Sequence, residues 1–134
     1  MSDKVTPIIS DYSNGGFTIG EAFHEGSILI TGADEVGFDI AKWAVSLGDE
    51  LEAKDFDPIY ASKDRPMLIL IGVGPVLSHP FNKLRAALSK KAIAVEIQTT
   101  QAACRTWNLL LSEGRKVAFA AIALPAEQLP DVKR

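Results

Sequence analysis

The chain has 134 residues, 47% of them hydrophobic, with 14 Lys and Arg against 17 Asp and Glu. These values are ordinary for a globular domain large enough to bury a core, and no apolar run approaches the roughly 20 residues of a membrane helix. A lone cysteine, Cys104, excludes an internal disulfide, and the polar N-terminus shows no secretory pattern, so the expected compartment is the cytoplasm. The alternating ten-residue strands of a membrane β-barrel are also absent. One domain is expected, with a core over about residues 8–124 and a frayed tail at 125–134.

Charge divides unevenly along the chain. Residues 1–66 hold 13 acidic and 5 basic side chains, a balance of −8, and residues 67–134 hold 4 and 9, a balance of +5. Either the halves neutralise each other on packing, or the second half presents cations to a partner or anionic ligand.

In chain order, Ile8–Tyr12 and Phe17–Phe23 read as strands joined at Asn14-Gly15-Gly16, because Asn-Gly supplies the positive φ angles of a tight hairpin. His24-Glu25-Gly26 reads as a second turn and Ser27–Thr31 as a strand. Val36, Phe38 and Ile40 alternate as a further strand with one buried face. These segments together suggest a small antiparallel β layer. Lys54–Ser62 suits a short helix burying Phe56 and Tyr60, with Pro58 in its first turn. Lys63–Pro66 is a polar break.

Met67–Gly72 is apolar on both faces, as expected of a central strand covered by helices on each side. Pro80 marks a helix start, and Phe81, Leu84 and Leu88 form its buried stripe. Its other face carries Lys83, Arg85, Lys90 and Lys91. Ile93, Val95 and Ile97 alternate as a strand. Thr99 or Thr100 can cap the next helix, which buries Ala103, Trp107, Leu110 and Leu111 and ends at Gly114. Val117–Leu124 is the last strand.

The chemistry-bearing residues concentrate in the second half. Gly72-Val73-Gly74 follows a strand and precedes a helix, the setting of a phosphate loop. Leu77 stands where the third glycine of a dinucleotide loop belongs, Pro75 removes an N–H donor, and the Gly-Lys-Ser/Thr of a nucleotide loop is missing. Cys104 and Arg105 lie near a helix start, where the helix dipole and a guanidinium both favour thiolate, and Thr99, Thr100, Arg105 and Asn108 could bind an anion there. A nucleophile would need a base, and the two histidines, His24 and His79, lie far from Cys104 in sequence. The competing reading of a lone cysteine beside Ala103 and Trp107 is a small buried hydrophobe. Metal binding lacks any chelating pair. Four cations without interleaved aromatics, on an acidic protein, do not make a nucleic-acid surface. No cofactor is expected.

Leu68-Ile-Leu-Ile-Gly-Val-Gly74, Leu84-Arg-Ala-Ala-Leu88, Val95-Glu-Ile-Gln-Thr-Thr100 and Ala103-Cys-Arg-Thr-Trp-Asn108, read in order, resemble the Mth938-like family, domain of unknown function 498. The resemblance spans roughly Ile8 to Leu124, with Trp107 where Tyr or Phe is usual. The family includes a mitochondrial respiratory complex I assembly factor and an adipogenesis-associated protein in animals. The resemblance implies a three-layer α/β fold: a mixed central sheet, helices on one side and a small antiparallel β layer on the other. It also implies a non-catalytic role, binding partner proteins during assembly of a membrane complex. In that reading Arg105 and Asn108 tie the loop after Gly72 to the helix. The alternative is a small-molecule or anion-binding protein, or an enzyme, with a pocket lined by Gly72, Gly74, Thr99, Thr100, Cys104, Arg105 and Asn108.

Overall fold

Two β-sheets and three α-helices make up the structure, a computed structural model that describes residues 7–32, 37–62 and 65–126. Strands β1 (Ile9–Asp11), β2 (Gly16–Ile19) and β3 (Ala22–Glu25) form a small antiparallel sheet. The other strands are β4 (Ile28–Thr31), β5 (Asp39–Lys42), β6 (Leu68–Gly72), β7 (Ala94–Gln98) and β8 (Val117–Ala121). They build a five-stranded sheet in the order β5-β4-β8-β6-β7. In it β6 runs parallel to β7 and β8, while β4 runs antiparallel to β5 and β8. The sheet is therefore mixed, as the resemblance implies.

Side-chain alternation sorts the core into one apolar cluster per face. Ile69, Ile71, Ala118 and Ala120 point to one face. There they meet helix α1 (Asp57–Tyr60), the 3-10 turn Ala53–Phe56 and helix α2 (Asn82–Ser89) through Phe56, Ile59, Leu84 and Leu88. Leu70, Val117, Phe119 and Ala121 point to the other face. They meet helix α3 (Thr100–Ser112) and the small sheet through Cys104, Trp107, Ile9, Phe17 and Ile19. Helices thus cover both faces, and α3 shares its layer with β1–β3. The expectation of helices on one side is corrected. The both-face apolar pattern of Met67–Gly72 already required cover on each side, and β6 is buried on both.

Several local readings hold. Asn14 and Gly15 take φ of 63° and 78°, the positive values expected of this pair, at the end of a four-residue connection, and Gly16 already belongs to β2. Pro58 occupies the first turn of α1. Helix α3 ends in a Schellman motif: Gly114 N–H donates to Leu111 O and Arg115 N–H to Leu110 O, at 3.0 and 3.1 Å, with Gly114 at φ 72°.

Other boundaries move. Phe17–Phe23 is two strands broken at Gly20, whose φ of 62° makes the turn, so His24 and Glu25 belong to β3 and the next turn falls on Gly26. The first half is not one β layer, because β4 and β5 join the main sheet beside β8. Alternation marks a strand and its faces without naming its neighbour. The strand expected at Val36–Ile40 is Asp39–Lys42, and Val36, Lys63, Asp64 and residues 127–134 lie outside the described residues. Helix α2 starts at Asn82 rather than Pro80, with Phe81 before it in left-handed conformation. Strand β8 stops at Ala121 instead of reaching Leu124.

Candidate functional site

Four of the seven candidate pocket residues meet where β6 ends and α3 begins. Gly72 lets the two elements touch, since a Cβ there would stand 2.9 Å from Thr100 Cα. Thr100 is fully buried, and its hydroxyl joins two strands' ends: Oγ1 accepts from Gly74 N–H at 2.9 Å and donates to Ile122 O at 2.7 Å. Thr100 N–H in turn donates to Gly74 O at 2.8 Å. Gly74 holds φ at 109°, a conformation that side chains rarely adopt. Thr99 is the N-cap, its Oγ1 accepting from Ala102 N–H at 3.2 Å.

These bonds occupy two of the N–H groups that the start of α3 would offer an anion, because Thr100 and Ala102 N–H already serve protein acceptors. The polar groups buried there without a protein partner are Gln98 Oε1 and Gln101 Oε1, while Gln101 Nε2 donates to Pro75 O at 3.3 Å. Unpaired acceptors have the wrong sign for an anionic ligand.

The remaining three residues do not join this cluster. Cys104 is the fifth residue of α3, beyond the first turn expected for it, and is 1% exposed in the core with Ala103 and Trp107. Burial pushes its thiol up to about 12, against the opposing pull of the Arg105 charge. At neutral pH it is a packed thiol. In the native protein its alkylation by iodoacetamide should run at least about 100-fold slower than in the unfolded chain. The raised value also carries a stability sign. Above the unfolded thiol's pKa the unfolded state loses the proton that the folded state keeps, so stability falls as pH rises from about 8.5 toward 12. Denaturation profiles of the protein and of Cys104→Ala should diverge over that range, the variant losing less stability as pH rises.

Arg105 is exposed and its Nη1 donates to Tyr12 Oη at 3.3 Å. Asn108 acts as a surrogate strand partner: its Oδ1 accepts from Ile9 N–H and its Nδ2 donates to Ile9 O, both at 2.9 Å. Trp107 Nε1–H donates to Pro7 O at 2.8 Å. These side chains fasten the N-terminal strand to α3, and the expected tie from Arg105 and Asn108 to the loop after Gly72 is corrected. Asn108→Ala should cost about 1–2 kcal/mol by chemical denaturation and raise hydrogen exchange at Ile9 N–H. Arg105→Ala, losing one exposed contact, should stay within about 0.5 kcal/mol of the parent. The partners of Asn108 and Trp107 lie about 100 positions away in sequence, at separations of 99 and 100 residues, beyond any local spacing signal.

Of the four cations read as a basic face, Lys83 and Arg85 lie on α2 and Lys90 and Lys91 follow its end. Lys83, Arg85, Lys90 and Lys91 are all exposed. Arg85 Nε donates to Pro80 O at 2.8 Å, and Lys91 Nζ lies 5.2 Å from the Tyr60 ring centroid. The ion pairs among the described residues are local, Lys54–Glu52 at 3.8 Å and Arg115–Glu113 at 3.6 Å, so none joins the acidic half to this face. On the same side of the sheet, a cavity of about 560 Å³ opens between Gly48–Leu51 and His79–Leu84. The loop that leads to it carries the apolar pair Val76-Leu77 between Pro75 and Pro80, where polar residues are the rule, and both side chains are exposed.

Residues 9–122 match the family described as a protein of unknown function, DUF498/DUF598. A Rattus norvegicus protein named NADH dehydrogenase [ubiquinone] 1 alpha subcomplex assembly factor 3 is 28% identical over 119 residues, which is 89% of this chain and 62% of that protein. The chain thus spans less than two thirds of that relative. A crystal structure described as an outer membrane protein of Bartonella henselae is similar at 30% identity and TM-score 0.70, covering 90% of this chain and 98% of that one. A solution structure from Bordetella pertussis, described as a Mth938-like domain, shares the fold at TM-score 0.71 and 19% identity, over 100% and 98% of the two chains.

Proposed function

The chain belongs to the DUF498/DUF598 family of proteins of unknown function, and from that premise we propose that it is a non-catalytic, protein-binding factor assisting assembly of a respiratory-type membrane complex. The observation that carries this reading is the alignment of 89% of the chain with a protein named as an NADH dehydrogenase assembly factor. The geometry supports it from the other side. Thr99, Thr100 and Asn108 spend their hydrogen bonds inside the fold and Cys104 is packed in the core. The surface is then the working part, and Lys83, Arg85, Lys90 and Lys91, without ion-pair partners among the described residues, offer a polar docking face for acidic segments of partner proteins. The reading places the protein in the cytoplasm.

The test is deletion of the gene, with assembled respiratory NADH dehydrogenase measured on native gels. A severalfold fall with accumulation of subcomplexes is expected, and an unchanged amount overturns the assembly role. The ligand-binding alternative makes a separate prediction. Inorganic phosphate should then raise the melting temperature, and Arg105→Ala should abolish the shift.

A further inference from the structure

Two loops at the carboxyl end of β6 carry an apolar surface that the core leaves uncovered. Val76 and Leu77, on the loop between β6 and α2, are 65% and 46% exposed, and Leu47, on the loop after β5, is 48% exposed. They are three of the seven large apolar side chains exposed among the described residues. The loops meet where Leu47 Cδ1 covers Gly74, so close that a Cβ at Gly74 would stand 2.6 Å from it. Further along the same two loops, next in the chain to these three side chains, Gly48–Leu51 and His79–Leu84 wall a cavity of about 560 Å³ with Leu51, Phe81 and Leu84 in its lining. Phe81 is held left-handed, at φ 56° and ψ 42°, a costly conformation for a bulky residue. His79 Nδ1 accepts from Phe81 N–H at 3.2 Å, and its ring lies tilted by 36° with its centroid 3.9 Å from that of Phe81.

The two walls differ in charge. Asp49 and Glu50 stand on one and Lys83 on the other, and none of the three has an ion-pair partner among the described residues. No strand edge lines the cavity, so pairing with an extended peptide backbone is not available, whereas side chains of a helix can enter. We propose that this groove docks an amphipathic helix of a partner protein, apolar along its centre, basic on the flank facing Asp49 and Glu50 and acidic on the flank facing Lys83. The proposal rests on the assembly-factor reading for the partner being a protein, and it names the surface that reading requires. An apolar patch rimmed by polar groups is the surface that such contacts use.

The experiment introduces p-benzoylphenylalanine at Val76 in the full chain, expressed in its own cells, and sequences the peptides crosslinked to it. The result expected is one amphipathic segment with the stated charge pattern. Leu77→Glu, which melts like the parent because Leu77 is exposed, should cut the yield by about tenfold or more. Lys83→Glu should also cut it, and changing the facing carboxylate of the partner to lysine should restore it. Crosslinks only to a second copy of this chain, to no peptide, or undiminished by Leu77→Glu overturn the groove. The deletion strain separates this proposal from the assembly role. If Leu77→Glu fully restores the complex there, the groove fails and the assembly role stands. If deletion leaves the complex intact while the crosslinks map as expected, the assembly role fails and the groove stands.

Discussion

Trp107→Ala should lower the unfolding free energy by about 3–5 kcal/mol, the range for truncating a large buried aromatic side chain, and the melting temperature by about 10–20 °C. Trp107 is fully buried between α3 and the five-stranded sheet, with its ring 5.1 Å from Phe119, and its indole N–H holds Pro7 O at 2.8 Å. Truncation opens a void between two layers and also frees the start of β1. Trp107→Phe separates these effects. It keeps most of the apolar volume and leaves the Pro7 carbonyl without its donor, a loss of about 1–3 kcal/mol. Differential scanning calorimetry of the two variants checks the order, and an alanine variant melting within a few degrees of the parent would contradict the packing described.

Thr100→Val is the second large effect, about 2–4 kcal/mol by chemical denaturation, because it strands two buried groups at once. Valine fills the same volume, yet Gly74 N–H loses its acceptor and Ile122 O its donor at a position with no access for water. Thr100→Ser keeps the hydroxyl and should cost well under half as much. A ligand-binding role for Thr100 predicts the reverse, with the valine variant as stable as the parent.

How far the sequence carried depended on whether the cause was local. The unit β6–α3–β8 was legible because each signal acts within a few residues: a both-face apolar strand, Thr99 or Thr100 as cap, Gly114 as terminator. The junction of Gly72, Gly74, Thr99 and Thr100, some 26 residues apart in the chain, was legible as a cluster because both segments follow the carboxyl end of a strand in an open α/β sheet. Its role was not, because the partners that spend those groups, Ile122 above all, come from another strand. Asn108 reads as a polar helix residue that could bind a ligand until β1 is seen to run beside it. The break at Gly20 was hidden inside an apolar stretch, and the assignment of β4 and β5 to the main sheet depends on pairing, which alternation does not encode. The burial of Cys104 followed from its neighbours Ala103 and Trp107, and the structure places all three in one cluster.

The central claim is that Gly72, Gly74, Thr99, Thr100, Cys104 and Asn108 hold the fold while the protein works through surface contacts in assembly. The most direct measurement is complementation of the deletion strain with Cys104→Ala and Arg105→Ala, each confirmed folded by its melting curve, with assembled NADH dehydrogenase read on native gels. Both variants should restore the complex to the level of the unsubstituted protein. A folded Cys104→Ala or Arg105→Ala that fails to restore it would show that the α3 start performs chemistry or binding that its hydrogen bonds do not account for.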